Sequence, residues 1–331
     1  MLRALTAVMA VPAALCALVM LSACTDWESK RPIQIGINDF PSYELLYLAQ
    51  EKGFYRDEGV AVRIVEFASL SDAAMALGNK QLDAIATTLV DLVIVNQHDP
   101  GSVKAGWVIN YSNGADVILA GTQVRNIADL KGRRIGLETA SIGLLVLGRA
   151  LQLNSMEFKD VKLVNLDPLS GESALARGEI DALVTYAPYS ERLAKKPGIR
   201  KIFDSRAIPG EVVDVLAFSA GLVAERASDI KGIIRAYMRA QSFLREQPEQ
   251  AIAIMSQREH IDAESFRKVL ENDLHVLTGQ EQAAYLQAGG RLEQYISRTT
   301  DFLQRTVQIE NAPDARRLVF ESGLSRGDGR R

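Results

Sequence analysis

The chain has 331 residues, of which 47% are hydrophobic, and a formal net charge of −3. This composition is typical of a globular protein, and the length allows two domains. The 38 basic and 41 acidic residues are nearly balanced, which argues against a nucleic-acid-binding surface.

The N-terminus predicts a secretory signal that ends in a lipidation motif. Arg3 precedes an apolar segment over residues 4–20, which is too short for a permanent membrane span. The sequence Leu-Ser-Ala-Cys then ends at Cys24 and resembles the bacterial lipobox. We expect residues 1–23 to be removed, Cys24 to be lipidated, and residues 24–32 to form a tether. An ordinary signal with a chance cysteine is the alternative.

Cysteines and histidines give no support for catalysis or metal binding. Cys16 lies in the apolar segment, so the mature chain would hold Cys24 alone and no disulfide. His98, His260 and His275 have no partners at metal-ligand spacing. Phosphate-binding glycine motifs and a complete nucleophile elbow are missing from the sequence. We therefore expect no cofactor, no metal and no enzymatic activity.

Strands and helices alternate through the first half of the mature chain, which predicts a mainly parallel sheet. Ser71 is expected to cap the second helix. The predicted strands cover residues 33–37, 60–67, 83–86, 103–109 and 117–120, and the helices cover residues 43–52, 72–78 and 89–96.

The second half repeats this plan. Residues 135–137, 161–164 and 175–182 match residues 35–37, 62–65 and 77–84 at a nearly constant separation of about 100 positions. The sequence therefore predicts two α/β lobes of similar structure. A strand over residues 214–221 follows, then a helix over residues 230–244, a helical region from Pro248 to Arg305, and a disordered tail over residues 325–331.

Residues 127–143 are the most informative stretch for function. A short helix, a strand and the turn Thr-Ala-Ser-Ile-Gly lead into an apolar helix at Leu144. This order leaves free backbone N–H groups beyond the strand end, which suits an anion or a polar head group. The alternative is that Ser141 only caps the helix.

Ligands of α/β sheets bind beyond the carboxyl ends of the strands, so residues in those loops are candidates. They combine hydroxyls and aromatic rings with few charges, which suits a small polar solute. The candidates are Asp39, Phe40, Tyr43, Ser69, Thr87, Thr88, Asn110, Tyr111, Thr139, Ser141, Ile142, Tyr186 and Asp214.

Several candidates have structural alternatives. Phe40 and Tyr43 could lie at the core edge, and Asp39 could cap the following helix. Thr87 and Thr88 could only end a strand. Ser69 is the weakest candidate, and Asp214 could pair with an arginine rather than bind a ligand amine.

The motifs resemble those of the nitrate-, sulfonate- and taurine-type periplasmic substrate-binding proteins, a superfamily that includes pyrimidine-precursor (thiamine-related) binders. The resemblance rests on Asp-Phe-Pro at residues 39–41, the Gly-Phe-Tyr and Glu-Gly-Val runs within residues 53–60, Leu-Asp-Ala at 82–84, Ile-Ala-Asp-Leu-Lys-Gly at 127–132, and Thr-Tyr-Ala-Pro-Tyr at 185–189.

This resemblance implies a two-lobed, type II periplasmic-binding fold with crossover strands near residues 117–120 and 213–217. Residues 33–118 and 214–324 would form lobe 1, and residues 119–213 lobe 2. The family binds its solute between the lobes and delivers it to an ABC permease and ATPase without catalysis. It implies a monomer in the periplasm, held to the membrane by its lipid.

The resemblance does not identify the solute. A sulfonate or carboxylate could bind at Ser141, and an amine at Asp39 or Asp214, so a taurine-like solute would satisfy both. The alternative functions are a ligand-sensing lipoprotein that signals to a membrane receptor and, more remotely, a pyrimidine-precursor binder or synthase. The mature chain lacks the cysteine-rich motif of that synthase branch.

Overall fold

The structure is a computed structural model that describes residues 31–306, 309 and 311–324. The predicted signal peptide, Cys24, most of the predicted tether and the tail over residues 325–331 lie outside this range. Within it, no helix combines the length and the apolar character needed to cross a bilayer.

Two sheets form the framework of the described part of the chain. Their strands are β1 (Ile33–Ile37), β2 (Val62–Glu66), β3 (Ala84–Thr88), β4 (Val103–Ser112), β5 (Asp116–Ala120), β6 (Arg134–Leu137), β7 (Lys162–Asn165), β8 (Ala182–Tyr186), β9 (Arg200–Asp204), β10 (Val213–Ser219) and β11 (Leu274–Val276). The first sheet has the order β2-β1-β3-β10-β4-β11, and the second has the order β7-β6-β8-β5-β9.

Helices cover the sheets. They are α1 (Glu44–Glu51), α2 (Phe54–Asp57), α3 (Leu70–Gly78), α4 (Leu89–Asn96), α5 (Ile142–Leu153), α6 (Pro168–Arg177), α7 (Tyr189–Ala194), α8 (Ala220–Glu225), α9 (Ala227–Glu246), α10 (Pro248–Arg258), α11 (Ala263–Lys268), α12 (Gln282–Leu286) and α13 (Arg291–Thr306). We call each sheet with its helices a lobe. Helix α13 packs against both α4 of the first lobe and α5 of the second.

The two sheets share one topology, which confirms the predicted two-lobed α/β fold. Strands β1, β2 and β3 are parallel, and β10 runs antiparallel to β3. In the second sheet β6, β7 and β8 are parallel, and β5 runs antiparallel to β8. Strands β5 and β10 therefore carry the chain between the lobes. The predicted division between residues 118 and 119 falls inside β5, and β5 pairs only with strands of the second sheet. The exact boundaries of the lobes therefore stay a prediction.

Equivalent glycines explain the repeated motif of the two central strands. A Cβ atom on Gly36 of β1 would lie 2.6 Å from Leu82, and one on Gly136 of β6 would lie 2.6 Å from Ile180. Both glycines thus leave room for an aliphatic side chain that precedes the neighbouring strand. Because the same close approach occurs in both lobes, the sequence repeat reflects a repeated packing arrangement.

The structure corrects two local predictions. Ser69, not Ser71, caps helix α3, because its hydroxyl accepts a hydrogen bond from the Asp72 N–H at 3.1 Å. The region from Pro248 to Arg305 is not entirely helical, since the short strand β11 pairs with the edge of β4. Three residues are too few to give a recognisable strand pattern, and pairing with an existing sheet edge supplies their backbone partners.

Candidate ligand-binding cleft

The two lobes meet where the carboxyl ends of their parallel strands face each other. We call this region the cleft. It is formed by residues 38–43 after β1, by the ends of β3 and β8, by the first residues of β5 and β10, and by residues 138–141 after β6. The side chains that meet here come from segments that are far apart in the sequence, as expected for a binding site at the switch between sheets.

Hydrogen bonds cross directly from one lobe to the other. The Asn38 amide donates to the Tyr186 hydroxyl at 3.1 Å, and the Tyr189 hydroxyl donates to Asp39 at 3.3 Å. On the opposite side of Tyr186, the Ser71 hydroxyl donates to Glu138 at 2.9 Å. These contacts hold the cleft in a closed arrangement.

Aromatic rings form one wall of the cleft. Phe40 lies edge-on to Tyr43 and Tyr186, with ring centroids 5.1 Å and 5.7 Å apart. Tyr186 also lies edge-on to Tyr189 at 6.0 Å. Phe40, Tyr43 and Tyr186 are buried, so Phe40 and Tyr43 lie at the core edge as the alternative predicted, and the binding role of all three stays a prediction. Such ring edges and faces suit an aromatic or cationic group.

Asp214 is held by a buried hydrogen-bond network at the start of β10. It accepts hydrogen bonds from the Tyr43 hydroxyl at 2.5 Å and from the Asn110 amide at 2.6 Å. The Ser42 hydroxyl in turn donates to Asn110 at 2.6 Å. No arginine pairs with Asp214 among the described residues, so the alternative of an arginine partner is wrong.

Asp116 occupies the equivalent position in the second lobe. Asp214 pairs across the sheet with Thr88 at the end of β3, and Asp116 pairs with Tyr186 at the end of β8. The pseudo-symmetry of the lobes therefore places one carboxyl group at the start of each crossover strand. Asp116 is 4% exposed, and its Oδ2 atom has no hydrogen-bond partner.

Two further acids complete the cleft. Glu138 follows β6 directly and accepts hydrogen bonds from Ser71 and, at 3.2 Å, from the Tyr186 hydroxyl. Asp91 lies in the first turn of α4 and accepts a hydrogen bond from the Thr88 hydroxyl at 2.5 Å. The cleft thus holds four buried carboxyl groups, contrary to the expectation of a site with few charges.

Burial shifts the titration of all four acids. Desolvation raises the pKa of Asp214 to about 8, and the charge of Asp116 adds to the effect. Burial likewise raises the pKa of Glu138 to about 7, with a further contribution from Asp91, and that of Asp116 to about 6. The pKa of Asp91 is also raised by burial, which the neighbouring hydroxyl groups of Thr88, Ser141 and Thr87 partly offset.

These shifts predict that the protein is less stable at higher pH. An acid whose pKa is raised on folding stabilises the fold below its unfolded pKa, and this contribution is lost as the pH rises through the folded value. The pKa values of Asp214, Glu138 and Asp116 rise from about 4 in the unfolded chain to between about 6 and 8 in the folded protein. Their stabilising contribution is therefore lost between pH 4 and 8. One pKa unit corresponds to roughly 1.4 kcal/mol.

Urea unfolding at pH 5, 6.5 and 8 should give a free energy of unfolding that falls at each step. A free energy that rises over this range would contradict the assignment.

Six buried side-chain atoms of the cleft lack a hydrogen bond. Buried polar atoms are normally paired, so an unpaired cluster marks a place where a further group can bind. Ser141 begins helix α5 but makes no capping hydrogen bond, which removes the simple capping role proposed as an alternative. The atoms are Asn38 Oδ1, Thr87 Oγ1, Asp91 Oδ1, Asp116 Oδ2, Ser141 Oγ and Thr185 Oγ1.

Most of the predicted site residues come together in this region. Thr88 caps helix α4 and also binds Asp91, so it combines a structural role with a place in the cleft. Asp39 does not cap α1, because its carboxylate accepts from Tyr189 instead. The predicted residues that the structure places in or beside the cleft are Asp39, Phe40, Tyr43, Thr87, Thr88, Asn110, Ser141, Tyr186 and Asp214.

Four predicted residues have other partners. Tyr111 follows Asn110 on a strand, so its side chain points to the opposite face, where it stacks on His275 at 4.6 Å. Thr139 donates to Asn165 at 2.9 Å, and Ser69 caps α3. Ile142 packs into the hydrophobic core at the start of α5.

Several residues of the cleft are missing from the predicted site residues. Asp116 could have been found from the repeat, because the separation that relates Asp83 to Asp181 also relates Asp116 to Asp214. Asp91 is a single acid in the otherwise apolar first turn of α4, and an isolated acid of this kind in the sequence can indicate a buried functional group. The missed residues are Asn38, Ser42, Ser71, Asp91, Asp116, Glu138, Thr185 and Tyr189.

Several known proteins with a similar sequence or the same fold are named as binding proteins. A protein of Brucella abortus (strain 2308) named as a binding protein is 26% identical over 275 residues, which cover 82% of this chain and 84% of that protein. A protein of Bacillus subtilis (strain 168) named as an aliphatic sulfonates-binding protein is 24% identical over 316 residues, which cover 90% of this chain and 88% of that protein. The solved alkanesulfonate-binding protein SsuA from Xanthomonas axonopodis pv. citri, bound to MOPS, has a TM-score of 0.74 at 16% identity and covers 88% of this chain and 99% of its own.

The family assignment rests on a match to more than half of the chain. The family described as NMT1/THI5 like matches residues 41–251, a stretch that runs from the loop after β1 to the start of α10. This stretch contains all of the second sheet and most of the cleft. The chain therefore belongs to the NMT1/THI5-like family.

Proposed function

We propose that the protein is the solute-binding component of an ABC importer. It would capture a small polar solute in the cleft and deliver it to a membrane permease and its ATPase. The observation that carries this proposal is the cluster of six unpaired buried polar atoms between two lobes that touch each other across the cleft. Relatives named as binding proteins support the same class of function. We propose binding without catalysis.

The geometry suggests how binding could be signalled to the permease. Contacts such as Asn38 to Tyr186 and Ser71 to Glu138 exist only when the lobes meet. A solute shifts the protein toward this closed form only if it binds the closed form more tightly than the open one. Groups from both lobes surround the unpaired atoms, so a solute in the cleft gains its full set of hydrogen bonds only after closure.

The cellular setting follows the same proposal. The protein would act as a monomer in the periplasm or cell envelope, anchored by lipid on Cys24 after removal of residues 1–23. The mass of the mature N-terminal peptide tests the anchor. The solute class named by the relatives is the sulfonates, so sulfonate- and taurine-like solutes belong among the first to be tested.

A thermal-shift screen of the unlipidated protein tests the proposed function. The panel would contain sulfonates, nitrate, amino acids, organic amines, pyrimidines and aromatic acids. A solute at a hundred times its Kd should add roughly 2.7 kcal/mol to the free energy of unfolding. Small-angle scattering with the same solute should show a more compact particle. If no solute in a broad library stabilised the protein, a solute-binding role would be contradicted; a stabilising solute without a permease partner would favour the sensing lipoprotein.

A further inference from the structure

The cleft contains acids but no cation to balance them. Asp91, Asp116, Glu138 and Asp214 are each less than 7% exposed. None of the four forms an ion pair with a lysine, arginine or histidine of the described chain. Burial without a cation favours the protonated form of such acids, because removing a negative charge from water is costly, and a bound cation would stabilise their ionised form.

Cations near the rim of the cleft are already engaged. Arg258 contacts Glu44 and Glu66, both at 2.6 Å, and lies 3.8 Å from Asp39. Arg192 binds Glu172 at 2.9 Å. These arginines cannot neutralise the four acids without giving up their own partners.

The unpaired atoms also indicate which hydrogen-bonding groups the solute carries. Asn38 Oδ1, Asp91 Oδ1 and Asp116 Oδ2 are carbonyl or carboxylate acceptors, and the other three unpaired atoms are hydroxyls that can accept as well. A bound group that satisfies the three carbonyl and carboxyl oxygens must bring donors, whereas the hydroxyls can pair with a donor or with an acceptor. The cleft residues of the described chain leave no side-chain N–H group unpaired.

We propose that the solute is a small organic cation with N–H donors, such as a primary ammonium or an amidinium, bound between Asp116 and Asp214. This inference rests on the proposed solute-binding function and defines the charge of the solute. The cation would satisfy the acceptors, balance the acids, and place its organic part against the rings of Phe40, Tyr43 and Tyr186.

Two other solute types fit less well. A metal ion would need converging ligands, and no group of three or more His, Cys, Asp or Glu side chains in the described residues is placed to hold one. A sulfonate without an amine would bring a permanent negative charge and no donor, so it would leave the unpaired carbonyl and carboxyl oxygens without partners and would oppose ionisation of the acids.

Matched probes that share a carbon skeleton and differ in charge test the inference. Benzylamine and benzamidine would be compared with benzyl alcohol and benzoate, and ethylamine and taurine with ethanesulfonate. We expect stabilisation by the amine-bearing members only. Stabilisation by benzoate or ethanesulfonate without the amines would overturn the cationic solute and leave the solute-binding function standing. No response across these sets and the broad library would count against both.

The Asp116→Asn variant separates a binding role from a structural one. Replacing an unpaired buried carboxylate with a neutral amide should raise the melting temperature of the unliganded protein. The same change should weaken binding of the best amine probe at least tenfold. Asp301→Asn, at an exposed position on α13, should change neither value. If Asp116→Asn does not fold, Glu138→Gln provides the comparison of affinity alone, because Glu138 accepts hydrogen bonds from Ser71 and Tyr186 and its replacement need not raise the melting temperature. An unchanged affinity in the folded variant would overturn the proposal.

Discussion

Tyr186→Ala is expected to abolish the response to solute and to destabilise the protein strongly. Tyr186 is 4% exposed, its ring packs edge-on against Phe40 and Tyr189, and its hydroxyl lies between Asn38 and Glu138. Truncation of a buried aromatic side chain to alanine costs roughly 3–5 kcal/mol. The variant also loses the side chain that joins the lobes at the centre of the cleft, so the closed form loses more than the open one.

Tyr186→Phe separates the two contributions. It keeps the ring and its packing but removes the hydroxyl, leaving Asn38 and Glu138 each with one hydrogen bond fewer. We expect a loss of roughly 1–3 kcal/mol, typical of a buried group left unpaired, and a weakened but measurable response to solute.

Urea unfolding measures the loss of stability in each variant, and the solute-induced shift in melting temperature measures its response to solute. Tyr295→Ala, on α13 outside the cleft, is the control for removal of a partly buried tyrosine. A full solute response in Tyr186→Ala would show that the cleft is not the binding site.

The sequence predicted the fold well because the lobes are built from local patterns that occur twice. Strand β1 and helix α4 lie at the predicted residues 33–37 and 89–96, and Gly36 and Gly136 occupy equivalent tight positions. Strand β11 was not predicted, because its three residues form a strand only by pairing with β4. Long-range pairing of this kind leaves no local signature.

The candidate site was harder to predict because its character depends on burial. Candidate loops were found from their position after strands, but the sequence does not show that Asp91, Asp116 and Glu138 are buried in one place. Ser69 and Ser71 are both suitable caps, and the choice depends on where α3 begins. Tyr111 was included with Asn110, although strand geometry directs consecutive side chains to opposite faces.

The expected result for Ser141→Arg is a folded protein that no longer responds to solute. Ser141 is fully buried at the start of α5, and its hydroxyl has no hydrogen-bonding partner. An arginine side chain does not fit at this buried position when the lobes are closed, so we expect it to hold them apart. The Ser141 hydroxyl lies close enough to Asp91 to lower the pKa of that acid. The guanidinium of an arginine at position 141 would therefore lie near Asp91, and the variant would carry its own cation in the cleft.

The matched control is Leu153→Arg, at the exposed end of the same helix, where the side chain is 54% exposed. We expect it to keep both its stability and its solute response. The solute-induced shift in melting temperature, measured for both variants at the same solute concentration, gives the comparison. If Ser141→Arg kept a full response, the solute would have to bind away from the start of α5. The four acids predict that the cleft prefers a cation. If Ser141→Arg responded only to anionic solutes, its arginine would have reversed that preference.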